Sequence, residues 1–303
     1  MAIIPSALRP GDTIGIISSC DLMTPGYLAD ALPEIEKAGF RIKLGKNIYC
    51  NTHGFAASPE ERAEDLNAMF CDPTVRMVLI PGGWVANEIL PLIDFAAVKQ
   101  NPKILCGYSD VTTLLTAIYA KTGLVSFYGA PLRTWDKYTP KNRDVFQKTL
   151  MQGTTRYIPS EPWEVICEGA CQGTLLGGYL GNFALMLNGQ YVPKNPLAKY
   201  ILFIEDHITF SRPATVSSYF AHIEQSGLLG QTTGLIWGNY SDEEYPEIGQ
   251  ILRRLADKHQ IPLVCTQDFG HFTLNNSLVP LGMDAKLNTK EQTLTFEMET
   301  VQK

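Results

Sequence analysis

The chain has 303 residues, 45% of them hydrophobic and 18% charged, with a formal net charge of -6. That length predicts two domains of an ordinary globular kind. The acidic balance excludes a general nucleic-acid binder, which would carry a basic excess.

The segment Met1-Ala2-Ile3-Ile4-Pro5-Ser6 has neither the basic stretch nor the apolar run of a secretory signal. No apolar run reaches the roughly 18 residues of a membrane helix, so no membrane partner is expected. Thr13 to Ser18 reads as a buried strand ending in small residues. Tyr27 to Ala38 has helical character, with a break expected at Pro33 and Gly39 as a C-terminal cap. Phe40 to Leu44 is the second strand. Ser58-Pro59-Glu60-Glu61 is a strong helix start, with a capping serine, proline in the first turn and acids at the positive helix end. Asp72-Pro73 ends that helix.

Val75 to Ile80 is a strand that runs at once into Pro81-Gly82-Gly83-Trp84, and a helix is expected over Asn87 to Ile93. Ile104-Leu105-Cys106 is a short strand, followed by a helix over Asp110 to Lys121. There Val111, Leu114, Leu115 and Ile118 fall on one helical face, and Gly123 closes the segment. Strands and helices alternating in this way predict a parallel sheet covered on both faces. A polar, proline-containing stretch over 151–169 reads as a linker, which divides the chain into domains at 1–150 and 170–303. The second half contains strands at Tyr200 to Ile204, Thr233 to Trp237 and Pro262 to Val264, a helix from about Ser217 to Gln225, and alternating segments near Ala285-Leu287 and Thr293-Phe296. It reads as a mixed α/β domain richer in antiparallel sheet.

Seven cysteines is an odd count, and only Cys167 and Cys171 lie close in sequence. Cys20, Cys71, Cys106 and Cys265 sit in or beside apolar segments, as reduced small hydrophobes of a reducing compartment do. The expected setting is therefore cytoplasmic. Without C-x-x-C or H-E-x-x-H there is no recognisable metal site, and no cofactor is expected.

Four strand ends run into glycine or polar residues, which is where open α/β sheets bind ligands. In Gly107-Tyr108-Ser109-Asp110 a serine projects from a strand-to-helix turn, either as a nucleophile or, with Asp110, as a helix cap. Gly82-Gly83 lets backbone N–H groups approach a ligand closely, or makes an ordinary turn. Ile204-Glu205-Asp206-His207 offers acids to orient a histidine or bind an amine, or ends a strand in solvent. Asp268-Phe269-Gly270-His271 places a candidate base beside a glycine, with His207 as its competitor. Spacing cannot show that these groups meet.

The run Asn101 to Thr112, with its continuation Ala120 to Leu124, resembles the signature of the LD-carboxypeptidases and the related microcin C immunity peptidases. Gly82-Gly83, Gly177-Gly178, Leu202 to Asp206, Phe269-Gly270-His271 and Pro280-Leu281-Gly282 follow in family order across nearly the whole chain. The resemblance implies a Rossmann-like amino-terminal domain and a smaller mixed α/β carboxy-terminal one. It implies Ser109 as nucleophile, His271 as general base and Glu205 as the acid orienting it, with the N–H groups of Gly83 and Asp110 as the oxyanion hole. It also implies a homodimer acting on a small peptide or peptide-nucleotide substrate. Pro81 stands where the family often has arginine, Tyr179 where it often has asparagine, and Phe272 to Leu278 is unlike the usual stretch. Removal of D-alanine from a murein tetrapeptide is the leading expectation. Cleavage of an aminoacyl-nucleotide, with a base stacked on Trp84 or Trp135, is the second, and non-catalytic ligand binding the third.

Overall fold

A computed structural model describes residues 2–129, 132, 139–159, 161–207, 212–238, 245–271 and 277–303. The chain opens with strand β1 (Thr13–Ile16), the short helices α1 (Pro25–Leu28) and α2 (Ala31–Lys37), and strand β2 (Arg41–Leu44). Pro33 does not break this region. It lies in the first turn of α2, where its missing N–H would have no partner within the helix, and the interruption falls earlier, at Ala29 and Asp30. Helix α3 (Pro59–Cys71) begins with a reciprocal Ser58–Glu61 capping box.

Strand β3 (Val75–Ile80) leads through a 3-10 segment, Ala86–Leu92, in place of the helix expected over Asn87 to Ile93, to helix α4 (Phe95–Gln100), which sequence patterning did not mark. Strand β4 (Ile104–Gly107) is followed by a 3-10 turn, Ser109–Val111, helix α5 (Thr112–Thr122) and strand β5 (Ser126–Tyr128). Helix α6 (Pro140–Phe146) then passes into a π-helical turn, and the stretch read as a linker contains strand β6 (Glu164–Cys167).

The second half comprises β7 (Ala170–Tyr179), α7 (Leu180–Met186), β8 (Tyr200–Glu205), α8 (Pro213–Gln225), β9 (Thr232–Gly238), α9 (Pro246–His259), β10 (Leu263–Thr266), β11 (Val279–Leu281), β12 (Asp284–Asn288) and β13 (Thr293–Phe296).

Two sheets result, of six and seven strands. The first has the order β11-β5-β4-β3-β1-β2, parallel except for β11, which returns from the second half to pair antiparallel with β5. The second, β13-β12-β7-β8-β9-β10-β6, has a parallel centre from β7 to β10 and antiparallel edges. The molecule is a two-domain α/β protein.

Alternation along the strands builds two cores. In β3, Met77 and Leu79 join a cluster with Ile14, Ile16 and Phe127 on one face of the first sheet. Val78 and Ile80 face the other way, into a cluster that includes Leu114 and Leu115 of α5 and Phe203 of β8. That shared core fixes the carboxyl ends of the two parallel sheets relative to each other. Among the described residues all seven cysteines are unpaired, and Cys71, expected beside the core, is exposed. Among the same residues no helix is long and apolar enough to cross a membrane.

Candidate active site

The first sheet reverses its strand order between β1 and β3, the position at which doubly wound sheets open a ligand crevice. Pro81, Gly82 and Gly83 follow β3 there, and Ser109 follows the neighbouring strand β4. Ser109 has φ of 59°, a left-handed conformation that a non-glycine residue adopts at a cost of about 1–3 kcal/mol. The strained turn stands the side chain at the end of the sheet, ahead of α5. Its closeness to the glycine turn leaves no spare space: a β-carbon on Gly82 would lie 3.0 Å from that of Ser109.

The second sheet supplies the other groups. Glu205 is the last residue of β8 and has no exposed surface, and His271 follows β10. His271 Nε2 lies 3.0 Å from Ser109 Oγ, and its Nδ1 lies 2.9 Å from Glu205 Oε2. The His271 backbone N–H also donates to Glu205 Oε2, at 3.1 Å. Glu205 therefore holds both the ring and the main chain of His271. The residues read from sequence as nucleophile, base and acid form one hydrogen-bonded chain across both domains.

Tyr128, which sequence reasoning did not single out, completes it. The Ser109 backbone N–H donates to the Tyr128 phenol oxygen at 3.1 Å, and the phenol in turn donates to Glu205 Oε1. Burial, and then the adjacent Glu205 carboxylate, push the Tyr128 phenol well above its ordinary range, so it stays a donor at any working pH. One side chain of the first sheet thus links the backbone of Ser109 to the acid of the second.

Around His271 stand the rings of His207, Tyr179 and Tyr108, with centroids at 4.8, 5.2 and 5.4 Å. Behind His207 lies the buried carboxyl of Asp206, which accepts the His207 N–H at 2.8 Å and bonds to Tyr179. Burial, reinforced by Glu205 beside it, raises Asp206 to about 7. The rival base His207 reaches the cleft but packs its ring against His271 instead of replacing it. His259 bonds to Glu224 at 2.8 Å, His222 to Asn188 at 3.4 Å, and His53 stacks on Phe55, so none of these belongs to the cleft.

The glycine turn is held from behind. Cys20 carbonyl oxygen accepts the N–H groups of Trp84 and Val85 at 2.9 and 3.2 Å, and a β-carbon on Gly83 would fall 2.5 Å from Cys20 backbone atoms. The fully buried Arg62 donates to the carbonyls of Ser19 and Val85 at 3.0 and 2.8 Å and pairs with Glu88. Asp110 brings the turn to the helix start. Its carboxylate accepts the Ala86 N–H at 2.7 Å and the side-chain amide of Asn182, on α7. Neither the Gly83 nor the Asp110 N–H has an acceptor among the described residues. Donors left open beside a serine and a histidine can serve an oxyanion.

Gly82, Gly83, Ser109 and His271 line a cleft of about 250 Å³, with Asp21, Tyr27 and Trp84. Trp84 is 66% exposed on its wall. Trp135 and residues 272–276 lie outside the described residues.

Residues 14–129 match the LD-carboxypeptidase N-terminal domain, and residues 172–287 match the LD-carboxypeptidase C-terminal domain. The chain belongs to the LD-carboxypeptidase family. It is 30% identical over 305 residues to the probable murein peptide carboxypeptidase of Bacillus subtilis, covering 97% of this chain and 94% of that one. It is 25% identical over 334 residues to the microcin C7 self-immunity protein of Escherichia coli, with 97% and 95% covered. A structure of that self-immunity protein in complex with aspartyl sulfamoyl adenosine shares the fold at a TM-score of 0.86 and 24% identity, with 99% of each chain covered. A similar protein from Bacillus anthracis superposes over the full length of both chains, at a TM-score of 0.87 and 25% identity. Within this member of the family, Ser109 and Gly83 fall in the first matched region, and Glu205 and His271 in the second.

Proposed function

We propose that the chain is a serine carboxypeptidase that releases the terminal D-alanine of a murein tetrapeptide. The observation that carries this reading is the Ser109–His271–Glu205 chain of contacts at 3.0 and 2.9 Å. In this mechanism His271 Nε2 takes the Ser109 proton as Oγ attacks the carbonyl carbon of the scissile amide. Glu205 fixes the tautomer that presents an unprotonated Nε2 and stabilises the imidazolium that forms. The N–H groups of Gly83 and Asp110 stabilise the tetrahedral oxyanion, each by about 3 kcal/mol. His271 returns its proton to the departing amine, leaving an ester on Ser109. Water, deprotonated by the same ring, then cleaves that ester.

The substrate's terminal carboxylate needs positive potential. Among the described residues no lysine or arginine lines the cleft, so the helix start behind Ser109 is the positive group at hand. A second reading rests on Trp84, whose exposure on the cleft wall suits stacking of a nucleobase in an aminoacyl-nucleotide. The test is hydrolysis of purified murein tetrapeptide beside aspartyl sulfamoyl adenosine by the same preparation. Release of D-alanine is expected. Cleavage of the nucleotide alone would select the second reading, and cleavage of neither would leave a non-catalytic binding protein.

A further inference from the structure

A cavity of about 670 Å³, larger than the catalytic cleft, lies at the opposite end of α5 from Ser109. Helix α5 is 11 residues long, which separates its two ends by about 16 Å. Both domains build the cavity. Lys99 from the last turn of α4 and Tyr119 and Lys121 from the end of α5 form one wall. Thr174 of β7, Lys194 of the following loop and Tyr200 at the start of β8 form the other.

Its chemistry differs from that of its surroundings. The chain carries a net charge of -6, yet three lysines and no aspartate or glutamate line this cavity among the described residues. None of the three lysines makes an ion pair among those residues, whereas seven other lysines do. Lys121 is held in place by the face of Tyr191, at 5.2 Å from the ring centroid. The negative pole of α5 opposes an anion here, and the lysines on the cavity wall must outweigh it. Most telling is Tyr200. It is 2% exposed, lines the cavity, and has no hydrogen-bond partner for its hydroxyl among the described residues. The hydroxyl is not a buried orphan but stays open to the cavity, where it can donate to a ligand oxygen.

We infer that this interdomain cavity binds a small polyanion, a phosphorylated or polycarboxylate molecule, clamped by Lys99, Lys121 and Lys194 and anchored by the Tyr200 hydroxyl. Such a ligand touches both domains and leaves the catalytic cleft open. The site is independent of the catalytic reading, although Ala120 to Gly123, which belong to the family-like run and which catalysis does not use, form part of its wall.

The test is isothermal titration of the protein with inorganic phosphate and, separately, with citrate, at constant low ionic strength. Saturable binding of at least one is expected, and which of the two binds more tightly separates a phosphate ligand from a carboxylate one. Lys121→Gln with Lys194→Gln should weaken binding about tenfold, at roughly threefold for each exposed charge. Tyr200→Phe should weaken it several-fold, and Ser109→Ala should leave it unchanged. Absence of saturable binding by both probes, or binding indifferent to the lysine substitutions, would overturn the site. Binding lost in Ser109→Ala would do the same by moving it to the catalytic cleft.

Discussion

At the scale of single residues, the site depends on a carboxylate that is entirely buried and fully used. Glu205 accepts from the His271 ring, the His271 main chain and the Tyr128 phenol. Glu205→Gln keeps the volume but offers an amide that can donate where it must accept, so the imidazole is no longer held in the working tautomer. Turnover should fall by about 10³-fold or more with only a small change in melting temperature. Unchanged turnover would assign the orienting role to another acid. Tyr128→Phe removes one hydroxyl and leaves the Ser109 N–H and one Glu205 oxygen without that partner. The expected result is a kcat lower by about 10- to 100-fold at nearly constant KM, together with about 1–3 kcal/mol of lost stability. A loss of stability alone would reduce Tyr128 to a packing residue.

Ser109, Glu205 and His271 were legible because each lies at or just past the end of a strand in a recognisable ordered run. Tyr128 was not, because Ser126-Phe127-Tyr128 reads as any buried strand. Its importance exists only through a contact made 77 positions away.

At the scale of elements, the glycine turn after β3 decides whether the cleft can hold an oxyanion. Gly83 has no room for a side chain, since a β-carbon would meet the Cys20 backbone at 2.5 Å. Gly83→Ala must therefore push the turn away from Cys20 and displace its N–H from the cleft. A loss of about 10²- to 10³-fold in kcat is expected, the size seen when one oxyanion donor is removed. A variant that turned over at the parent rate would show that the Gly83 N–H is not a donor to the reaction. The turn was legible as two glycines after a strand, but its supports were not. No pattern in the sequence marks Arg62, which is buried and clamps the loops around Ser19 and Val85. Pro33 misled in the opposite direction, since a proline breaks a helix only beyond its first turn. Glu164 to Cys167 looked like linker because prolines and polar residues precede it, yet it pairs with β10 as an edge strand.

At the scale of the whole molecule, two parallel sheets point their carboxyl ends at one another, and residues 162 positions apart meet there. Periodicity predicts the sheets but cannot set their mutual placement, which comes from the core shared by α5, β3 and β8. Nor did any pattern mark Val279 to Leu281 as a strand that crosses back to the first sheet. Concentrating carboxyl groups at this junction has a consequence for stability. Asp206 is buried and raised to about 7, well above its range in an unfolded chain. The fold therefore binds a proton that the unfolded chain releases, and the contribution of protonated Asp206 is full below the ordinary carboxylate range and lost as pH rises through about 7. Asp206→Asn is neutral throughout, so its stability relative to the parent should improve between pH 4 and pH 8, by up to about 4 kcal/mol. Urea midpoints at the two pH values measure this, and a difference that does not change with pH would mean that Asp206 ionises as an ordinary carboxylate.

The assignment of Ser109 as nucleophile is tested most directly by the turnover of Ser109→Ala on whichever substrate the parent protein cleaves, with folding checked by circular dichroism. Turnover should fall by about 10⁴-fold or more in a folded protein. A folded Ser109→Ala variant that kept the parent rate would mean that another group attacks the amide.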